Sequence, residues 1–353
     1  MTGVRPWQIL LAVLGLSLPV LPLLGLLWGA LEPPPTLFPG QGASSWSSLV
    51  IRQGPSGGLG PLPQSALLAL AVAALALPSG AALAWLERRA DYPGARVLGA
   101  LTLVPLVIPS YILAGTLRQA LGPGGLVGGG LGLPSFTGFW PAVLVLTLAT
   151  APYAQLLIAA GLARCPASEE EAARTLGATP WRAFRAAVLP RLRPALAASF
   201  LLVQLYVISD FGAVAVLDCQ VLTWRLYQTV QTARFDQAVA LGAAVLLLSA
   251  PLLAGARWIQ GSAGGPGDRA GPGSQRSAPR VRLRGALLVG GLALQLLVVG
   301  LGAAVPLLTL VAWVADGVRR GLPFADVSTP LLHTAWAAGL GALFTVGLAL
   351  APA

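Results

Sequence analysis

Few side chains in this 353-residue sequence can do chemistry, and they are unevenly spread. The densest set is Ser168–Pro194, SEEEAARTLGATPWRAFRAAVLPRLRP, a charged island between long apolar runs. Its adjacent glutamates and scattered arginines suit ion pairing and docking, not bond making. Asp210 is the only acid well inside an apolar run, placed to face protein or a water-filled path. His333 is the single histidine and reads as an interfacial residue. Cys165 and Cys219 are the only cysteines, too few with one His for the usual zinc or redox clusters. All 22 basic residues are Arg, so a phosphate-binding GxxxxGK[ST] loop is missing its Lys. The Gly-rich stretch from Gly122, GPGGLVGGGLG, holds no GxGxxG spacing and reads as a loop. No nucleophile, base and orienting group occur as a set, so no catalytic residue, metal site or cofactor is expected.

The elements that position the island are two short helices and a bend. Ser168 with Glu171 three residues on forms a capping box, which predicts a helix start at Ser168. Glu169, Glu170 and Glu171 suit the positive end of that helix, and Glu170 can pair with Arg174 at i,i+4. Gly177 stands where a left-handed cap ends it, Thr179 offers the next N-cap oxygen, and Pro180 fits a first turn. In the second helix Trp181, Phe184 and Val188 share one side, and Pro190 and Pro194 are expected to stop it.

The remainder is membrane-like. The chain is 56% hydrophobic and 10% charged, with a mean hydropathy of +0.77, whereas soluble domains carry about 25% charged residues. Apolar runs of spanning length are Trp7–Leu31, Gln64–Leu86, Val97–Leu121, Phe139–Ala163, Ala195–Leu217 and Gln237–Trp258. With the N-terminus inside, 16 arginines fall on the cytoplasmic side and six outside. The positive-inside bias therefore puts the island in the cytoplasm and explains the net charge of +10 without nucleic acid. Cys165 and Cys219 then lie on opposite sides and should not pair. Asp210, 16 residues after Pro194, sits about 24 Å along the fifth span, in the outer half of the hydrocarbon core. Two roles stay open for it: lining the pathway, with Gly212 letting the helix bend, or pairing with Arg225 or Arg234 to lock the end of the span. Pro105, Pro109, Pro141, Pro152 and Pro251 are candidate hinges or static kinks.

The order Glu171-Ala172-Ala173, Gly177, Ala187, Leu189-Pro190 resembles the EAA loop of inner-membrane permease subunits of binding-protein-dependent ABC importers. Ala187 stands where that family has Ile. The resemblance implies that Glu171, Ala172, Ala173, Gly177, Leu189 and Pro190 couple the permease to a cytoplasmic ATPase dimer. An amphipathic hairpin lying on the membrane surface is the plainer account of the same residues. Leu205–Val216, LYVISDFGAVAV, with Ala151-Pro152-Tyr153, resembles the fused permeases of the iron(III) importer group. By that resemblance Tyr153, Asp210, Phe211 and Gly212 are pathway or gate candidates. Thiamine, sulfate, molybdate and polyamine importers share the coupling loop and remain alternatives for the solute. An ion-coupled secondary transporter would show more intramembrane acids and bases than this chain has. A scaffold without transport is the third class.

After a Gly/Ser/Pro/Arg-rich linker the pattern restarts. Pro22-Leu23-Leu24 with Trp28 recurs as Pro306-Leu307-Leu308 with Trp313, and Gln64-Ser65-Ala66 as His333-Thr334-Ala335. The expected architecture is all-α, a polytopic membrane helix bundle. Residues 1–258 form a six-span repeat, 259–284 a cytoplasmic linker, and 285–353 the first two spans of a second repeat, as in an incomplete fused permease. The resemblance adds the partners: the ATPase, a periplasmic or lipid-anchored solute-binding protein, and membrane lipid, with the chain multi-pass in a bacterial inner membrane.

Overall fold

An apolar run some twenty residues long leaves its backbone no partner in lipid but itself, so it closes into a helix. The computed structural model describes residues 60–125, 128, 134–165, 167–262, 280–322 and 327–350, and these are helical nearly throughout. The expected span Trp7–Leu31 and most of the linker lie outside the described residues. The first described helix, α1 (Pro61–Arg89), has Pro in its first turn and Arg88 and Arg89 in its last, both suited to those ends. A two-residue strand, β1 (Ala90–Asp91), follows.

The expected span Val97–Leu121 is broken. Helix α2 (Ala95–Leu101), a 3-10 turn (Val104–Leu106) and α3 (Ser110–Leu121) form a pair bent by 103°. Pro105 lies in the 3-10 turn and Pro109 caps α3, and each lacks the N–H a straight helix needs. Pro152 and Pro251 instead sit inside continuous helices, α4 (Phe139–Ala163) and α10 (Phe235–Ser262). Between those two come α5 (Ala167–Thr175), α6 (Pro180–Ala183), a π-helical turn (Phe184–Val188), α7 (Leu189–Ser209), α8 (Gly212–Val216) and α9 (Leu222–Gln231). After the linker stand β2 (Val281–Arg282), α11 (Ala286–Val299), a second π turn (Gly300–Ala304), α12 (Val305–Arg319) and α13 (Ser328–Leu350).

Pro190 and Pro194 do not stop the second loop helix. The chain runs through both as one helix, Phe184–Ser209, which replaces the expected fifth span Ala195–Leu217. At Pro190 the π turn explains this: the Leu189 N–H reaches back five residues to the Phe184 carbonyl. That widened turn gives room where Pro190 would crowd the carbonyl four residues before it. The same device recurs at Val305, whose N–H bonds to the Gly300 carbonyl just ahead of Pro306. Among the described residues five helices are long and apolar enough to cross a membrane, or six if the bent pair is one span.

The described residues from Gly60 to Ala312 pack as one unit, and those from Trp313 belong to a second. In the first, α1 lies against α4 through small residues: Ala76, Gly80 and Ala84 are all buried at i,i+4 spacing. A Cβ on Gly80 would stand 2.6 Å from the Ala154 Cβ and 2.9 Å from the Ala151 carbonyl oxygen. Polar links cross the apolar core: Gln204 Nε2 donates to the Ala69 carbonyl at 3.2 Å, and the Leu222 N–H to Ser65 Oγ at 2.8 Å. Helix α11 joins the same unit. Tyr92 Oη donates to Gln295 Oε1 at 2.7 Å, and β1 pairs in parallel with β2, Ala90 opposite Val281 and Asp91 opposite Arg282. The second unit holds α13.

Candidate functional site

Two groups of residues stand out, one at each end of the helix Phe184–Ser209. The first is the charged loop. Helix α5 opens at Ala167, so Ser168 lies inside its first turn and not at the N-cap where the capping box would need it. The far end behaves as the sequence predicts. Gly177 has φ +81°, its N–H bonds to the Arg174 carbonyl at 3.0 Å, and the Ala178 N–H reaches the Ala173 carbonyl at 3.1 Å. These two bonds are the Schellman pattern that ends a helix on a left-handed residue. Thr179 Oγ1 then accepts the Arg182 N–H at 3.4 Å and caps α6.

Ion pairs fix this loop to the rest of the unit. Glu170 holds Arg174 at 2.8 Å and also Arg89, at the end of α1, at 2.9 Å, and its side chain is only 14% exposed. Glu169 pairs with Arg191 through both carboxylate oxygens. Beneath them burial pushes the Cys165 thiol above its ordinary range, partly offset by Arg89 and Arg191. Both cysteines are free. The i,i+4 pair was visible in the sequence; Arg89 and Arg191, 81 and 22 residues from their partners, were not. Glu171, Ala172, Gly177 and Pro190 are exposed, while Ala173 and Leu189 are half-buried. Leu176, between the glutamate-rich turn and Gly177, is 89% exposed. The loop thus presents a bare leucine and the exposed Glu171 on one surface.

The second group surrounds Asp210. Helix α7 ends at Ser209, and Asp210 takes an extended conformation, ψ 124°. It is therefore not inside a helical span. Its Oδ1 accepts the Ala213 N–H at 2.9 Å, which caps α8, and Ser110 hydrogen-bonds its carboxylate. Its backbone carbonyl accepts from Thr223 Oγ1 at 3.1 Å. No ion pair among the described residues involves Asp210, and Arg225 donates to Gln220 Oε1 at 3.1 Å. The expected lock to Arg225 or Arg234 is thus not formed; the cap takes its place. Gly212 follows the break between α7 and α8. A Cβ there would stand 2.9 Å from the Tyr111 Cβ, so the glycine admits the start of α3.

Phe211 packs its ring 4.6 Å from Tyr227 and 6.2 Å from Trp224, and Tyr153 lies 5.7 Å from Tyr206, one turn before Asp210. Asp210, Phe211 and Gly212 therefore meet directly, and Tyr153 joins them through Tyr206. Trp224 Nε1 is buried with no hydrogen-bond partner. Ser110, Tyr206 and Trp224 escaped sequence reasoning. Tyr206 alone left a signal there, at i−4 from Asp210 on one helix face.

The cap separates two roles of Asp210. Asn caps a helix as well as Asp does, whereas Ala costs about 1 kcal/mol. Asp210→Ala is expected to lower the melting temperature of the purified chain, and Asp210→Asn to leave it unchanged. Equal melting of all three would remove the cap.

The sequence profile described as "Binding-protein-dependent transport system inner membrane component" matches residues 76–262, just over half of the chain. The chain is 28% identical over 188 residues to the Fe(3+)-transport system permease protein FbpB 2 of Haemophilus influenzae, covering 52% of this chain and 34% of that one. It is 32% identical over 158 residues to the molybdenum transport system permease protein ModB of Escherichia coli, covering 42% and 69%. For the sulfate transport system permease protein CysW of the same species the values are 30% over 155 residues, 43% and 53%. The match thus spans about a third of the iron relative's length. Among solved structures, a bacterial ABC transporter involved in the import of the acidic polysaccharide alginate shares the fold at 17% identity. Its TM-score is 0.52, with 73% of this chain and 94% of that chain covered.

Proposed function

From a chain that belongs to the binding-protein-dependent transport system inner membrane components, we infer a permease that passes ferric iron through an importer driven by a separate ATPase. The Asp210 group carries the choice of solute. A carboxylate with no ion-pair partner among the described residues, gathered with Tyr153, Tyr206 and Phe211, favours a cation at this end of the path and opposes an oxyanion. The iron(III) relative supports the same solute. In this reading Asp210 and Phe211 line or gate the path, Tyr153 supports them through Tyr206, and Gly212 sets the approach of α3.

At the other end Glu171, Ala172, Ala173 and Gly177 dock the cytoplasmic ATPase dimer, and Leu189 and Pro190 join the loop to α7. The chain supplies conformational change and no hydrolysis. A periplasmic or lipid-anchored binding protein delivers the solute, and the N-terminus lies in the cytoplasm of a bacterial cell. Residues 1–258 form the first permease repeat and 285–353 the start of a second.

A second reading, an oxyanion permease, is favoured by the molybdenum and sulfate relatives. Uptake in cells carrying the complete transport system decides. Radiolabelled iron is expected to enter, to depend on ATP and not on an ion gradient, and to fall about tenfold or more in Asp210→Asn at equal expression, a loss of ~1.4 kcal/mol or more. Entry of molybdate or sulfate in place of iron would overturn the solute, and loss of uptake with an ionophore alone would overturn the driving force. Unchanged uptake in Asp210→Asn would remove its role in the path.

A further inference from the structure

A cleft of about 960 Å³ opens where α1, the charged loop and α11 meet. Its walls are apolar, formed by Trp85 and Leu86 of α1 and by Leu287, Gly290, Gly291 and Leu294 of α11. Its rim is basic. Five arginines line it, Arg89, Arg174, Arg280, Arg282 and Arg284, against Glu170 and Glu171. Glu170 already holds Arg89 and Arg174, and Asp91 holds Arg282 at 3.7 Å. Among the described ion pairs none engages Arg280 or Arg284. Two exposed guanidinium groups thus stand over a trough of hydrocarbon.

Arginines and Trp85 flank both halves of the cleft, the residues expected where a bilayer changes from headgroup to acyl chain. Arg89 ends α1 and Arg284 lies two residues ahead of α11, while Trp85 sits one turn inside α1, as interfacial Trp residues do. Leu287 and Val289 are 73% and 67% exposed on α11, so the trough continues into an apolar face. Gly290 leaves its floor open: a Cβ there would meet nothing within 4 Å. From Ala286 to Leu294 the helix descends about 12 Å, enough to take the upper part of an acyl chain. The adjacent linker, residues 263–279, carries Arg269 and Arg276 against Asp268, so it brings no excess negative charge to the rim.

We propose that this cleft binds an anionic phospholipid of the inner leaflet. Its phosphate is held by Arg280 and Arg284 and one acyl chain lies along Gly290, Gly291 and Leu294. Basic pockets between helices at the cytoplasmic surface select such headgroups by charge, and the apolar floor selects a lipid over a free anion. The site rests on the reading that these arginine-rich segments face the cytoplasm. Glu170 and Glu171 of the charged loop share the cleft, so the lipid would touch the surface that meets the ATPase.

The test is native mass spectrometry of the whole chain in mild detergent, with phosphatidylglycerol and phosphatidylcholine of the same acyl chains. The wild type is expected to retain phosphatidylglycerol about tenfold better. The double change Arg280→Gln with Arg284→Gln should erase that preference, and Gly290→Leu should weaken retention of both lipids by filling the trough. Equal retention of the two lipids by the wild type overturns the proposal, whether or not the variants fold. So does an unaltered preference in the double variant, or thermal stabilisation by inorganic phosphate equal to that by phosphatidylglycerol. Topology is read separately, by labelling Arg282→Cys in intact cells with a membrane-impermeant thiol reagent. Labelling from outside would sink the orientation and leave the lipid measurement standing.

Discussion

Gly177→Leu is expected to strip the ATPase from the purified permease while leaving the permease in the membrane. Gly177 sits at φ +81°, and a Cβ there would meet no atom within 4 Å. The penalty is therefore conformational alone, on the order of 1–2 kcal/mol for a side chain in the left-handed region. The loop relieves it by unwinding the Schellman turn, which releases the Ala173 and Arg174 carbonyls and turns Leu176 and Glu171 away from their present positions. Folding is spared because the residue is exposed and the ion pairs of Glu169 and Glu170 lie upstream. Gly177→Asn should be far milder, since Asn visits this region with little strain. The measurement is ATPase copurified per permease, beside the permease level in the membrane. Parallel loss of both quantities would mean misfolding and would remove the docking role; normal copurification with Gly177→Leu would remove it as well.

Gly80→Leu should abolish the folded protein altogether. The atoms a new Cβ would strike are the Ala154 Cβ at 2.6 Å, the Ala151 carbonyl oxygen and the Gln155 nitrogen. None is the free end of a flexible side chain, so α1 and α4 must part along their whole shared face. Overpacking of this kind costs about 1–3 kcal/mol for small insertions, and Leu adds three carbons beyond the Cβ. Gly80→Ala should already lower the melting temperature. The contrast is Gly115, on α3, where a Cβ meets nothing; Gly115→Ala should gain up to about 1 kcal/mol from helix propensity. Membrane level and a single sharp elution peak in detergent are the readouts. A Gly80→Leu chain that accumulates and elutes like the wild type would show that the two helices are not held this closely.

The loop was legible because its signals are local. Gly177 as a left-handed cap, Thr179 as an N-cap and Glu170 with Arg174 each depend on residues within four positions. The apolar runs from Gln64 to Trp258 announced helices for the same reason. Pro190 misled because the rule that proline ends a helix assumes four-residue hydrogen bonding, and the π turn at Phe184–Val188 suspends that assumption, while Pro194 lies inside α7 itself. Nothing in the composition of FRAAV marks it. Asp210 was placed by counting residues along one straight helix, and α7 carries that count as far as Ser209, one residue short of it, so what the count missed was the cap and not the depth. Its true partners, Ser110 and Thr223, come from other elements, as do Arg89 and Arg191 in the loop. Those pairings follow from tertiary packing, which no spacing within a single segment encodes.

Because the chain runs through Pro190 and Pro194 as one helix, the loop and the Asp210 group are the two ends of one rod. Its 26 residues, Phe184–Ser209, measure about 39 Å. Such a rod works as a lever. A partner that tilts its loop end by about 5° about that end carries the Asp210 end ~3 Å sideways, more than the slack between Gly212 and Tyr111 allows. Force applied at the arginine-rich surface thus arrives at α3 and α8 as displacement, with no relay of side chains between them.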